Sequence, residues 1–292
     1  MTEGRRGLAF GIAAYGLWGI IPVFWKQLAA VDPVEVLAHR AVWGLLVFAA
    51  IVQVAGARPA LVSALRDRRT VAVMALSGGL LAINWGVFVA AITSGHLLDA
   101  SLGYFINPLV SVALGMIVLR ERLRGLQWLA IGFASAGVVL LTWRTGRVPW
   151  VALILATTFG TYGLVRKLAR VDSLVGSTIE TALLAPIALV YLAGLALGGG
   201  GATGHADGVT HGLLVATGVV TAAPLLLFTS AARRLPLSTV GFLQYLAPTG
   251  QFVLAVVVFD EPFARDTLIA FVCIWVGLVV FSIDLWGARR PR

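Results

Sequence analysis

The residues of this 292-residue chain that could do chemistry all sit within or at the mouths of long apolar runs. Arg40, preceded by His39 in LAHRAVW, and Glu180 in GSTIETALL are isolated charges among aliphatic neighbours. Asp99, Gly103, Asn107, Ser111 and Gly115 recur every four residues and so form one stripe of a helix. Tyr15, Trp18, Asn84, Trp85, Tyr104, Tyr162, Gln244 and Tyr245 add aromatic faces and polar tips in neighbouring runs. Lipid supplies no partner for such groups, so they mark a wet interior, a solute path or a proton relay. The aromatic and amide residues suit a pocket for an amphipathic solute. Glu180, Asp99 and His39 are the groups able to exchange a proton. Each has a plainer reading as well. Small residues on the stripe allow close helix packing, Asp99 can cap a helix, and Arg40 can snorkel to the headgroups.

Other chemistries find no support in the sequence. There is no HExxH, no pair of intramembrane aspartates and no P-loop, so no metal, cofactor or nucleotide site is expected. The single Cys273 lies in an apolar run, where a buried and inert thiol is expected. The chain is 59% hydrophobic and 12% charged, too few charges to coat a soluble globule. The net charge of +9 is spread as short clusters between apolar runs, which is how membrane loops are written, and not as a nucleic-acid patch. The expected partners are the lipid bilayer and a small-molecule solute.

The elements that must position these residues are helices. A spanning helix needs about 20 apolar residues, and ten runs qualify: about 7–27, 35–56, 70–92, 98–119, 126–144, 148–167, 174–197, 210–231, 237–259 and 266–286. With alternate loops on alternate sides, one side receives 17 of the 22 basic residues, leaving Lys26, Arg40, Arg144, Arg147 and Arg265 for the other. Positive charge stays cytoplasmic, so both termini are expected there. Trp25 and Trp150 fit an interfacial belt, and the glycine-rich 198–204 segment fits a flexible outer connector near His205 and His211.

A shift of 140 residues aligns the chain with itself: Asp32 meets Asp172, Gly78 meets Gly218, Pro108 meets Pro248, Glu121 meets Glu261 and Gly137 meets Gly277. The halves are then 1–145 and 146–292, with five helices each, and an odd number inserts the second half upside down. Inverted repeats with matched proline-interrupted helices, here at Pro108 and Pro248, are a plan of secondary transporters. The shift also pairs Arg40 with Glu180. Each lies about 8–9 Å inside opposite faces of a ~30 Å core, so they are expected ~10–15 Å apart in depth without a direct salt bridge. Glu121 and Glu261 are expected to cap hairpin turns or to pair with neighbouring arginines.

With these residues located, the chain resembles the RarD-like proteins of the EamA family in the drug/metabolite transporter superfamily. The resemblance is carried by EVLAHR, NW, SGHLLDASLGYFINPLV, RERLRGLQW, RRLPLSTVGFLQYLAPT and DEPF. It implies an all-α membrane protein of ten helices in two inverted five-helix halves around a central cavity, with helices five and ten at the periphery. It also implies the bacterial inner membrane and solute transport. Arg120 departs from the pattern, which commonly has a small residue before the hairpin glutamate, and Asp99 stands where Glu is as common. A secondary transporter working by alternating access is the leading expectation; an intramembrane enzyme, a channel or a non-transporting membrane protein are the rivals.

Overall fold

In a computed structural model the protein is described over residues 2–93, 97–143, 149–258 and 265–287. His96, Arg144, Arg147, Glu261 and the C-terminal arginines lie outside those residues, as do the side chains of Asp99 and Arg265. The described elements are helices: α1 Glu3–Ile20, α2 Pro22–Lys26, α3 Pro33–Val54, α4 Arg58–Arg66, α5 Arg68–Thr93, α6 Leu97–Ile117, α7 Gly125–Trp143, α8 Trp150–Leu168, α9 Ser173–Leu197, α10 Ala202–His205, α11 Gly208–Arg234, α12 Leu237–Gln244, α13 Leu246–Val253, a π-helical turn Leu254–Val258, and α14 Arg265–Gly287. Among the described residues nine helical segments are long and apolar enough to cross a bilayer, and Leu102–Ile117 is a shorter apolar helix. Their outer faces carry bare aliphatic side chains such as Ile187, Val190 and Val257, a surface that only lipid satisfies.

Aspartates start several of these helices. Asp32 accepts the N–H groups of Val34 and Glu35 at the head of α3, and Asp172 accepts that of Val175 at the head of α9. The repeated aspartate therefore does one job at both places: its carboxylate satisfies backbone donors that a helix N-terminus leaves open. Asp67 does likewise ahead of α5, where the Thr70 hydroxyl, with the Arg69 and Thr70 amides, holds its carboxyl below the usual range.

The two prolines act differently from the matched interruption expected. Helix α6 runs through Pro108. The ninth run instead breaks at Tyr245 between α12 and α13 and loosens into the π-turn after Pro248. Thr249 donates its hydroxyl to the Tyr245 carbonyl at 2.7 Å, meeting one backbone group near the break. Helices α6 and α12 cross tightly, because a Cβ on Gly241 would stand 2.7 Å from the Pro108 carbonyl.

The hairpin glutamate also serves a more distant partner than expected. Glu121 accepts the amides of Leu237 and Ser238 at 2.6 and 2.9 Å and the Ser238 hydroxyl at 2.7 Å, capping α12 from 116 residues away. Arg120 sits at φ 55°. This left-handed conformation costs a side-chain-bearing residue about 1 kcal/mol, which explains why a small residue suits the position. The 198–204 segment is tethered rather than loose. Ala202 donates its N–H to both oxygens of buried Glu35 at 2.9 and 3.0 Å, and Gly201, at φ +79°, leaves room for that carboxylate.

Helix α3 packs against α9, α11 against α1 and α3, and α6 against α8 and α12, while α7 and α14 form a pair of their own. In that pair a Cβ on Gly137 would meet the Ala270 carbonyl at 2.8 Å, and one on Gly277 would meet the Ala130 carbonyl at 2.8 Å. Half-buried Cys273 packs beside Gly137 instead of being fully enclosed. Asp284 joins the far ends, accepting from Gln127 at 2.9 Å and pairing with Arg124 at 2.7 Å. Replacing either glycine by Val is expected to force α7 and α14 apart at a cost of about 1–3 kcal/mol. Thermal unfolding in detergent measures it; a melting temperature equal to wild type would mean the two helices do not touch there.

Candidate functional site

A cavity of about 840 Å³ lies between α1, α2, α3, α5, α6, α8, α11, α12, α13 and α14. Of the sequence-predicted pathway residues, Tyr15, Trp18, Arg40, Asn84, Trp85, Tyr104, Asn107 and Gln244 line it, and Pro248 stands at its wall. Tyr162 and Tyr245 do not line it. Tyr162 stacks on Phe228 and donates to Glu180 at 3.4 Å; Tyr245 donates to the Phe105 carbonyl at 3.3 Å. Both are packed where their hydroxyls find partners in the protein.

Arg40 is the best-defined charged group in the cavity. Its guanidinium carbon lies 4.9 Å from the Trp25 ring centroid and 4.6 Å from that of Trp85. Its Nε donates to the Thr221 hydroxyl at 3.0 Å. Helix α3 thus supplies the cation, α2 and α5 the two indole faces, and α11 the hydroxyl. Trp25 accordingly lines the cavity, whereas Trp150 is exposed on the outside of α8. No described carboxylate lies within ion-pair distance of Arg40.

The remainder of the wall is aromatic with a few polar tips. Tyr15, Trp18, Phe159 and Phe228 form a cluster with centroid separations of 5.1–6.0 Å. Tyr104 rests edge-on against Phe88. Asn84 is tied down, donating to the Leu155 carbonyl at 2.8 Å and the Thr158 hydroxyl at 2.9 Å. Gln244 donates to Ser111 at 3.0 Å. Asn107 Oδ1 is buried without a hydrogen-bond partner among the described residues.

Glu180 lies off this cavity. It is paired with Arg166 at 3.5 Å, both side chains being essentially inaccessible. Arg166 further donates to the Ser173 carbonyl at 3.1 Å and the Met74 sulfur at 3.0 Å, and only a glycine fits at position 176 beneath it. Arg166 is therefore not the loop charge that the orientation count took it for. Sequence reading missed the pair because the two residues lie on different helices; a basic residue within an apolar run, above a bare glycine, was the available signal. Arg40 and Glu180 make no ion pair, yet both border one narrow void of about 10 Å³. His39 accepts the Trp43 indole N–H at 3.1 Å, while its Nε2 stands 3.9 Å from a Glu35 carboxylate oxygen. Among the described residues no cluster of His, Cys, Asp and Glu could hold a metal.

With this geometry in hand, comparison with known proteins shows what the chain is similar to. The model of the EamA-like transporter family matches residues 5–143. An uncharacterized transporter of Pseudomonas aeruginosa is 46% identical, covering 98% of this chain and 96% of that protein. Protein RarD of Streptomyces exfoliatus is 44% identical over 100% and 93%, and Protein RarD of Salmonella typhimurium 42% identical over 99% and 98%. A solved structure described only as "Crystal structure of protein" superposes with a TM-score of 0.73 at 22% identity, covering 99% of this chain and all of that one, which supports the fold.

The buried pair makes a prediction of its own. Glu180→Leu leaves the Arg166 charge uncompensated and is expected to cost about 3–5 kcal/mol, whereas adding Arg166→Met should restore most of it. Thermal unfolding of the single and double variants decides; a double variant no better than the single would mean the pair is not coupled.

Proposed function

We propose that this chain, which belongs to the RarD-like branch of the EamA-like transporter family, is a secondary transporter moving a small metabolite or drug-like solute by alternating access. The observation that carries this reading is the central cavity: an aromatic space of about 840 Å³, walled by helices of both sequence halves, with a fixed cation on its surface. A purely structural membrane protein has no use for such a space.

In this reading residues 1–145 and 146–292 are inverted five-helix halves, Leu102–Ile117 belongs to the remaining span, and both termini face the cytoplasm of a bacterial inner membrane. The reciprocal approach of Gly137 to Ala270 and of Gly277 to Ala130 supports it, since 130 and 137 plus 140 give 270 and 277. So do the matching caps of Asp32 and Asp172. The cavity reaches the α2–α3 connector at Leu28, Ala29, Val31 and Pro33, on the side poor in basic residues. At the basic end the halves are tied by Glu121 to Leu237 and Ser238, Glu3 to Arg234, and Arg124 to Asp284. This is the arrangement of an outward-facing state, and opening inward requires those ties to part.

Glu180 remains the candidate for proton coupling, acting through the Arg166 pair and the void it shares with Arg40. Metabolite profiling of cells with and without the protein, followed by flux of the leading solute in proteoliposomes, tests the function. Saturable counterflow without chemical change is expected; conversion of the solute would make the protein an enzyme, and unsaturable current a channel. Glu180→Gln, assayed on protein that a thermal melt shows to be folded, should slow pH-gradient-driven uptake at least about tenfold, or 1.4 kcal/mol, relative to equilibrium exchange. A wild-type driven rate would remove the coupling role.

A further inference from the structure

We infer that the solute of this cavity is an organic anion: a carboxylate on an aromatic or apolar body, received by Arg40. The inference rests on the cavity being a transport site and names the class of molecule it takes.

Among the described residues Arg40 has three attachments, and none carries negative charge. Two indole rings hold the guanidinium at 4.9 and 4.6 Å, and its Nε donates to the Thr221 hydroxyl. The planar group thus rests on two rings and is held at one edge. Neither Nη donates a hydrogen bond to a described residue, and neither is among the buried unpartnered atoms. The edge left over carries two N–H donors in one plane, the fork that matches a carboxylate.

The second half shows what normally stands opposite such a cation. Under the 140-residue shift, Arg166 and Glu180 correspond to Lys26 and Arg40, since 26 and 40 plus 140 give 166 and 180. Arg166 and Glu180 form a buried ion pair; Lys26 and Arg40 are both basic, and both line the cavity. Among the described lining residues there is no Asp or Glu. At the place where one half supplies an anion, the other has Arg40, with no described carboxylate in ion-pair distance, facing a space large enough for a solute.

The remaining wall describes the rest of the molecule. Trp18, Phe88, Tyr104 and Phe159 present flat apolar faces.

The test uses the purified full-length protein and three aryl carboxylates (benzoate, 3-phenylpropionate and indole-3-acetate), each beside its neutral amide and its amine analogue. Binding is measured by calorimetry. At least one carboxylate should bind at least about tenfold more tightly than its own amide and amine, a 1.4 kcal/mol preference. Arg40→Gln should shrink that ratio below threefold. Thr221→Val, which frees only the Nε edge, should lower carboxylate affinity about threefold or more and leave the amide unchanged. An amide or amine that binds as well as its carboxylate, a failure of all three carboxylates to bind, or an Arg40→Gln protein that keeps the preference overturns the inference. Counterflow of the tightest binder in proteoliposomes separates the two claims. A carboxylate that binds without flux contradicts transport alone, whereas saturable flux of neutral or cationic solutes with no carboxylate binding contradicts the anion alone.

Discussion

An arginine held away from bulk water with no described carboxylate beside it is the constraint around which the cavity is organised. Desolvating a guanidinium costs several kcal/mol, and each aromatic face it rests on returns about 0.5–2 kcal/mol. Trp25 and Trp85 are therefore needed beside Arg40, with Thr221 completing the third contact. That requirement joins α2, α3, α5 and α11 around one point of the cavity wall.

The contrast between the two halves follows from the same electrostatics. Arg166 meets Glu180 in a site so tight that only Gly176 fits beneath it, which locks α8 to α9. Arg40 meets aromatic rings and an open space. One charged position becomes a structural tie, the other a receptor, and the small void bordered by Arg40 and Glu180 places the two within reach of each other's state. The polar ties across the basic end, from Glu121, Glu3 and Arg124, close the opposite side of the molecule. A membrane interior holds few polar contacts, so those few decide which end opens.

Much of this was legible in the sequence, and the reason is lipid. A bilayer forces each span to be a continuous apolar run, so the helices and the residues breaking their polarity stand out: eight of the ten pathway residues named from the sequence do line the cavity. Asp32 and Asp172 were legible as a repeat, and their capping bonds explain it. What escaped depends on contacts between distant segments. Arg166 reads as a loop charge until α9 is brought beside it, the contact of Trp25 with Arg40 shows only once α2 and α3 are brought together, and Glu121 caps a helix 116 residues away. Tyr162 and Tyr245 face partners on other helices, a choice of rotation that helical periodicity leaves open. The break at Tyr245, absent at the matching place in α6, depends on how α12 crosses α6 at Gly241 and Pro108.

The central claim is that this cavity is an aqueous site reached in turn from both sides of the membrane. Its most direct measurement places a single cysteine at buried Ala247 on the cavity wall, in a Cys273→Ala background, and labels it with a membrane-impermeant thiol reagent. A control cysteine replaces lipid-facing Ile187. Labelling of position 247 from the outside of intact cells and also from the cytoplasmic face of inverted vesicles, with none at position 187 from either side, is the predicted result. Labelling of position 247 from one side only, or from neither, would contradict it.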